Sequence, residues 1–362
     1  MTGQQRTIAW IAGLVVFLAL LFVLRTVLLP FVVGMAVAYF LDPVCDRMEH
    51  WGCSRTVATV IVTALFFVLV VLAFALVGPL LYAQIVEFVA KLPGLLDVIE
   101  AKAAPLITEL TARIEVGKGG EFREAVMKSI GQAAEIGGAV LGQVLSGLGA
   151  VVSVISLIVI TPVVSFFLLR DWDRIVKRID GWSPREHAET IREQARLVDQ
   201  TLAGFVRGQM LVCLIVGSYY ATALTVVGLE FGIVVGLVTG LMLFIPYVGM
   251  LTGFAVSMGL AFAQFDSAQS ILLVAVVFAV GQPLEGVFLT PKLVGDRVGL
   301  HPVWILFALL AGASLFGFVG VLLAVPTAAV IGVGVRFAIG RYLAGPLYNG
   351  AGPGGKGDDG SP

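Results

Sequence analysis

Apolar positions fall into long runs separated by short charged joints. The runs cover residues 8–24, 26–41, 56–81, 148–169, 210–229, 231–265, 270–290 and 303–335. A bilayer-spanning helix needs about twenty predominantly apolar residues, and most of these runs approach or exceed that length. Two of them, 231–265 and 303–335, are too long for one simple span. Each carries an interruption: Ile245-Pro246-Tyr247-Val248-Gly249 in the first, and Leu315-Phe316-Gly317-Phe318-Val319-Gly320 in the second. Within lipid, a broken or Gly-rich backbone survives only where protein or a watery cavity covers it. The pattern predicts an all-α polytopic membrane protein with Gly/Pro-broken or re-entrant hairpins in its C-terminal half.

The joints divide the chain further. Arg25 separates the first two runs, which predicts a tight hairpin or one long helix kinked near Pro30, and Asp42-Pro43 ends the second. Arg6 ahead of the first run, with a further apolar run behind it, reads as a signal anchor rather than a cleaved leader. From residue 82 to 145 charges return, and Pro93, Pro105 and a glycine turn at 117–120 are expected to cut the stretch into short helices. Leu81, Ile85, Phe88, Leu92, Leu95, Leu96 and Ile99 give those helices an apolar face, suited to an external lid or to a membrane-hugging or subunit-packing domain. Thr161-Pro162 with Ser165 predicts a kink in the fourth run. In the polar block 170–209, Ser183-Pro184-Arg185-Glu186 has the form of a capping box. Ile191, Ala195, Val198, Leu202 and Phe205 then form a helix-packing stripe, within the subunit or between subunits. The resulting domain blocks are 1–81 (three membrane helices), 82–146 (external), 147–169 (the fourth helix), 170–209 (cytoplasmic), 210–341 (transport core) and 342–362 (a disordered Gly/Pro tail).

Composition agrees with the pattern: of 362 residues 59% are hydrophobic and 13% charged, with a mean hydropathy of +1.00. The net charge of −1 points to no nucleic-acid partner, so the distribution of Lys and Arg among the joints matters more. Basic groups at Arg47 and Arg55, across 170–207, at Lys292 and Arg297, and at Arg336 and Arg341 mark cytoplasmic joints. The block 82–145 carries eight carboxylates against six cations and is expected outside. Both termini then fall on the cytoplasmic side. Cys45, Cys53 and Cys213 have neither metal nor disulfide spacing. His50, His187 and His301 are scattered, and no phosphate loop or nucleophile–base grouping occurs. Neither an enzyme nor an ATP-driven pump is expected, and no cofactor or metal is implied.

Candidate chemistry concentrates in the C-terminal half. The two interrupted runs resemble each other and, by the charge count, enter from opposite faces. Such inverted, broken segments point to an alternating-access site near the midplane. Pro246, Tyr247, Gly249, Gly317 and Gly320 are therefore candidates to line it. Between the runs lies Gln282-Pro283-Leu284-Glu285. A carboxylate at membrane depth is costly unless paired, protonated or hydrated, so Glu285 is a candidate to couple an ion or bind substrate, with Gln282, Lys292 or water as partner. The alternative places Glu285 at the inner interface, salt-bridged to Lys292. Pro291, Lys292, Gly295, Pro302 and Pro326 punctuate a structural joint between the last two membrane runs. Arg25 and Asp42 read as span-end anchors, and Arg207 and Gln209 as lining of the inner mouth or markers of the interface.

The block from Leu289-Thr290-Pro291-Lys292 to Ala324-Val325-Pro326, with Gln282-Pro283-Leu284-Glu285-Gly286, Ile245-Pro246-Tyr247-Val248-Gly249, Leu28-Leu29-Pro30-Phe31, Tyr39 and Asp42-Pro43, resembles the AI-2E family of transporters. The resemblance extends to about Arg341. It implies about eight membrane helices, a cytoplasmic helical segment, an external domain between the third and fourth helices, and homo-oligomers such as pentamers. The family takes its name from export of autoinducer-2, and members are also associated with sodium/proton antiport. Many members have Asn after the Glu-Gly pair, where this chain has Val287, so the polar contact implied there is missing. The expected function is secondary transport of a small polar solute across the bacterial inner membrane, with sodium/proton antiport and a membrane scaffold as the other readings.

Overall fold

The computed structural model describes residues 12, 13, 16, 20, 22–24, 27–113, 148–294, 299–345 and 348. Every described element is helical, in agreement with an all-α membrane protein. In chain order they are α1 (Leu28–His50), α2 (Arg55–Arg113), α3 (Leu148–Asp180), a 3-10 turn (Arg185–His187), α4 (Ala188–Val227), α5 (Gly232–Met242), α6 (Val248–Gln264), α7 (Ala268–Pro283), a π-helix (Leu284–Val294) and α8 (Pro302–Leu343). Five helical stretches are long and apolar enough to cross a membrane, and α5 and α6 are shorter apolar helices. On α2, Leu65, Val68, Leu72, Phe74 and Leu76 are exposed, which suits a helix whose solvent is lipid rather than water.

Several joints read as breaks are continuous helix. Asp42-Pro43 does not end α1, which runs on to His50 with Pro43 inside it. Pro30 lies in the first turn of α1, where a missing N–H is harmless, and the join at 25–26 on which the expected hairpin or kink depends lies outside the described residues. Residues 82–113 are not cut into short helices: α2 is one helix of 59 residues through Pro93 and Pro105. A proline removes one hydrogen bond and bends a helix, and the neighbouring bonds carry it across. At 1.5 Å per residue α2 is about 88 Å long, far more than a hydrocarbon layer of about 30 Å. The glycine turn at 117–120 and the rest of that block to 147 lie outside the described residues, as does nearly all of the tail beyond 345.

The helix start at Ser183 is also replaced. Residues 185–187 form the 3-10 turn with no side-chain cap, and α4 begins at Ala188. α4 then runs 40 residues without a break, so the polar block and the fifth membrane run share one helix.

The chain divides into two compact units. One comprises Val27–Arg170 and Arg207–Leu293. Its core includes Val37, Ala38, Leu41, Cys45, Val62 and Leu169. Here α1 and α3 cross at Gly34, where a β-carbon would lie 2.8 Å from Val164. Beside the crossing, Ser165 Oγ is 2.8 Å from Thr161 O and 3.0 Å from Gly34 O, so its single proton serves either carbonyl. A second core region stacks Tyr220 on Phe278 at 4.6 Å between centroids, with Phe254 edge-on at 5.4 Å.

The other unit comprises Met1–Thr26, Asp171–Val206 and Val294–Pro362. Asp180 accepts two hydrogen bonds from Arg192, at 2.8 and 3.0 Å. The guanidinium holds the Asp180 carboxyl below its ordinary value of 3.8. Because the folded value is the lower one, this pair contributes at neutral pH and is lost as pH falls below 3.8 through the depressed value. An NMR titration of Asp180 in the wild type and in Arg192→Gln is expected to show the variant titrating at the higher pH.

Candidate functional site

The first interrupted run builds a real break. α5 has 11 residues, about 16 Å of helix, roughly half the hydrocarbon thickness. With α6, of 17 residues, it forms a hairpin of two short apolar helices. Between them Leu243, Phe244 and Ile245 close with short-range turns, and Pro246 supplies no N–H. Tyr247 takes φ 67°, a left-handed conformation uncommon for a non-glycine residue, and its ring is exposed. The break deprives Leu243 O of its helical donor. The Gln209 side chain, from α4, replaces it: Nε2 donates to Leu243 O at 2.6 Å. Gly249 is buried against the same turn, and a β-carbon there would collide with the Leu243 backbone. Gln209→Leu leaves that buried carbonyl unpaired and is expected to destabilise the protein by about 1–3 kcal/mol, read as a lower melting temperature in detergent.

The second interrupted run lies within α8, where Gly317 has φ 60° and ψ −137° and divides the helix. Gly320 is buried, and its backbone and that of Gly312 each occupy the space a β-carbon of the other would need. Both glycines therefore permit an approach that no larger residue allows. Pro302 opens α8, preceded by His301, whose Nδ1 accepts from the Val303 N–H at 3.3 Å. Pro326 does not close the helix, which continues to Leu343. Pro291 and Lys292 are exposed in the π-helix, and Gly295 lies outside the described residues.

Glu285 occupies the first turn of that π-helix, half-buried. Wide turns of this kind occur mostly as short insertions in α-helices, frequently at functional sites. Pro283 before it and Pro291 within it both lack the N–H that a regular ladder requires. Gln282 Nε2 donates to Glu285 Oε2 at 3.4 Å. Among the described residues no cation pairs with Glu285, and Lys292 makes no ion pair with it. On the facing side, Tyr220 of α4 is fully buried against Gly281, with Gln282 beside its hydroxyl. Gln282, Glu285 and Tyr220 influence one another electrostatically, and Cys213 also feels Glu285. Gln282, Glu285, Pro246, Tyr247 and Gly249 thus belong to one compact unit, and Gly317 and Gly320 to the other.

An ion-pair node joins four helices and was not read from the sequence. Arg55 donates to Asp42 at 2.8 Å, Asp46 at 2.6 Å and Glu49 at 3.0 Å, and its Nε donates to Leu169 O at 2.9 Å. Arg207 reaches the other Asp42 oxygen at 3.0 Å and Tyr39 O at 2.6 Å. Asp42 is therefore a bridge between α2 and α4 rather than a simple anchor. A signal was present: 42, 46 and 49 follow the four-then-three spacing that lines carboxylates along one helix face.

Comparison with known proteins agrees with this architecture. Residues 11–338 match the sequence model of the AI-2E family transporters. The "Putative transport protein YrrI" of Bacillus subtilis is 28% identical over 311 residues, 86% of each chain. The "Putative permease PerM" of Escherichia coli K12 is 26% identical over 329 residues, 91% of this chain and 92% of that protein. A polytopic helical chain with interrupted helices, matched over nearly its full length, belongs to the AI-2E family of transporters.

Proposed function

We propose that this protein is a secondary transporter that exports a small polar metabolite or signalling molecule, autoinducer-2-like in size and polarity, across the bacterial inner membrane. An ion or proton gradient drives it, and both termini face the cytoplasm. Family membership and the transport and permease names of its relatives support a role in membrane transport. The observation that carries the coupling role is Glu285: a half-buried carboxylate in a π-helical turn of a helical stretch apolar enough to cross a membrane, bonded to Gln282 and to no cation among the described residues. Such a group can take up and release a proton or small cation as its surroundings change. The helix breaks at Pro246–Gly249 and, in the other unit, at Gly317–Gly320 are each candidates to contact a solute within their own unit. Homo-oligomers, pentamers among them, are the proposed assembly.

Sodium/proton antiport is the second reading, because one carboxylate alternating between proton and cation serves it equally well. Proteoliposomes separate the two. Counterflow of labelled autoinducer-2 supports export, whereas sodium-dependent proton flux without counterflow supports antiport. Neither activity would leave only a membrane scaffold.

A further inference from the structure

A second polar site lies where α2 passes the turn between α4 and α5. A cavity of about 330 Å³ is lined there by Gln84, Glu87, Thr225, Glu230 and Phe231, among others. The Lys91 ammonium sits 2.9 Å from Glu87 and 3.1 Å from Glu230, and 5.7 Å from the centre of the Phe231 ring. Two carboxylates and an aromatic face around one ammonium are the groups that recognise alkylammonium ligands.

Three features show that Lys91 does not saturate this place. Gln84 Oε1 is buried and among the described residues has no donor, so an acceptor stands ready for an N–H that Lys91 does not supply. Among the described residues Glu87 and Glu230 share the one cation Lys91, which leaves one negative charge between them. The wall is also built rather than incidental. Gln264 accepts from the Glu230 N–H at 2.8 Å and donates to Gly228 O at 2.8 Å, which clamps the turn at both ends. Phe231 is buried with φ 61°, a conformation costly for an aromatic residue, and its ring meets Phe88 edge-on at 5.4 Å. Strain of this kind persists only where the surroundings hold it, and it clusters at ligand clamps.

We propose that this cavity binds the alkylammonium group of a small amine-bearing solute, and that Lys91 is its tethered occupant when the solute is absent. The inference rests on the transport reading and deepens it: the cargo is a small organic monocation. Glu285 fits that class, since it too presents one carboxylate without a paired cation among the described residues.

The test uses the full chain in detergent micelles, titrated with n-butylammonium chloride at constant ionic strength and followed by calorimetry. Sodium chloride and n-butanol serve as controls. Wild type is expected to bind butylammonium weakly, in the roughly millimolar range. Lys91→Ala removes the internal competitor and should bind about tenfold more tightly, and adding Glu230→Gln should reverse that gain by about tenfold. Lys91→Met, which keeps the apolar stem, serves where Lys91→Ala does not fold. Equal heats from sodium or butanol, or no gain in either Lys91 variant, would overturn the proposal. Normal export by Glu285→Gln would sink the coupling role and leave amine binding standing. Export without butylammonium binding would sink the cargo class alone.

Discussion

Glu285→Gln is expected to assemble and melt like the wild type and yet to lose gradient-driven transport. Glutamine keeps the shape and can still pair with Gln282, but it can neither bind a proton nor hold a cation. Replacing a half-buried carboxylate by an amide relieves a desolvation cost, so stability should stay within about 1 kcal/mol of wild type, and the melting temperature should hold or rise. Transport should respond very differently. Coupling free energies between sites correspond to factors of roughly 5–150, so cargo accumulated against a gradient should fall by about tenfold or more. Downhill counterflow is the informative comparison, because a cargo site distinct from Glu285 would preserve it. Flux into proteoliposomes with an imposed pH or sodium gradient gives the reading. Wild-type accumulation by Glu285→Gln would show that the carboxylate is structural.

Arg55→Ala should give the opposite profile, with stability lost first and activity lost as a consequence. The Arg55 side chain is 17% exposed, and it is the group that holds Asp42, Asp46 and Glu49 together. Its loss strands Asp46 and Glu49, leaves Asp42 to Arg207 alone, and leaves Leu169 O without that donor. Breaking a buried pair costs about 3–5 kcal/mol, and the exposure of these partners, 29% to 52%, reduces the expectation to about 2–4 kcal/mol. Arg55→Lys keeps the charge without the planar fork and should fall between. Asp46→Asn, at the most exposed partner, should cost under about 1 kcal/mol. Thermal melting of the purified protein in one detergent ranks the three variants, and a large loss in Asp46→Asn with none in Arg55→Ala would refute the node. Arg207, through Asp42, links the same node to α4, the helix that also carries Gln209 and Tyr220. A disturbance at Arg55 therefore has a route, through the two ion pairs of Asp42 and then along α4, toward the hairpin and the Glu285 region.

Much of this was legible in the residues alone. Long apolar runs identify the membrane helices because lipid leaves each backbone group to find its partner within its own segment. The same constraint pointed to both interruptions, since Pro246 lacks an N–H and the Gly317–Gly320 stretch tolerates a left-handed turn. Glu285 stood out because a charge among apolar neighbours is costly regardless of fold. Punctuation by proline was less reliable: Pro43, Pro93, Pro105 and Pro326 lie inside helices that continue past them. Whether one missing bond ends a helix depends on the packing around it, and no local rule contains that.

Sequence by itself determined the solvent each segment can tolerate, and hence the class of protein and the two sites of helix failure. Tertiary structure decided which distant groups meet. Gln209 lies 34 residues from the carbonyl it satisfies, Arg207 lies 165 from Asp42, and Lys91 lies 139 from Glu230. Hydropathy is a property of single positions averaged over a window. A hydrogen bond requires two groups within about 3 Å at a suitable angle, and only the packing of whole helices sets that distance.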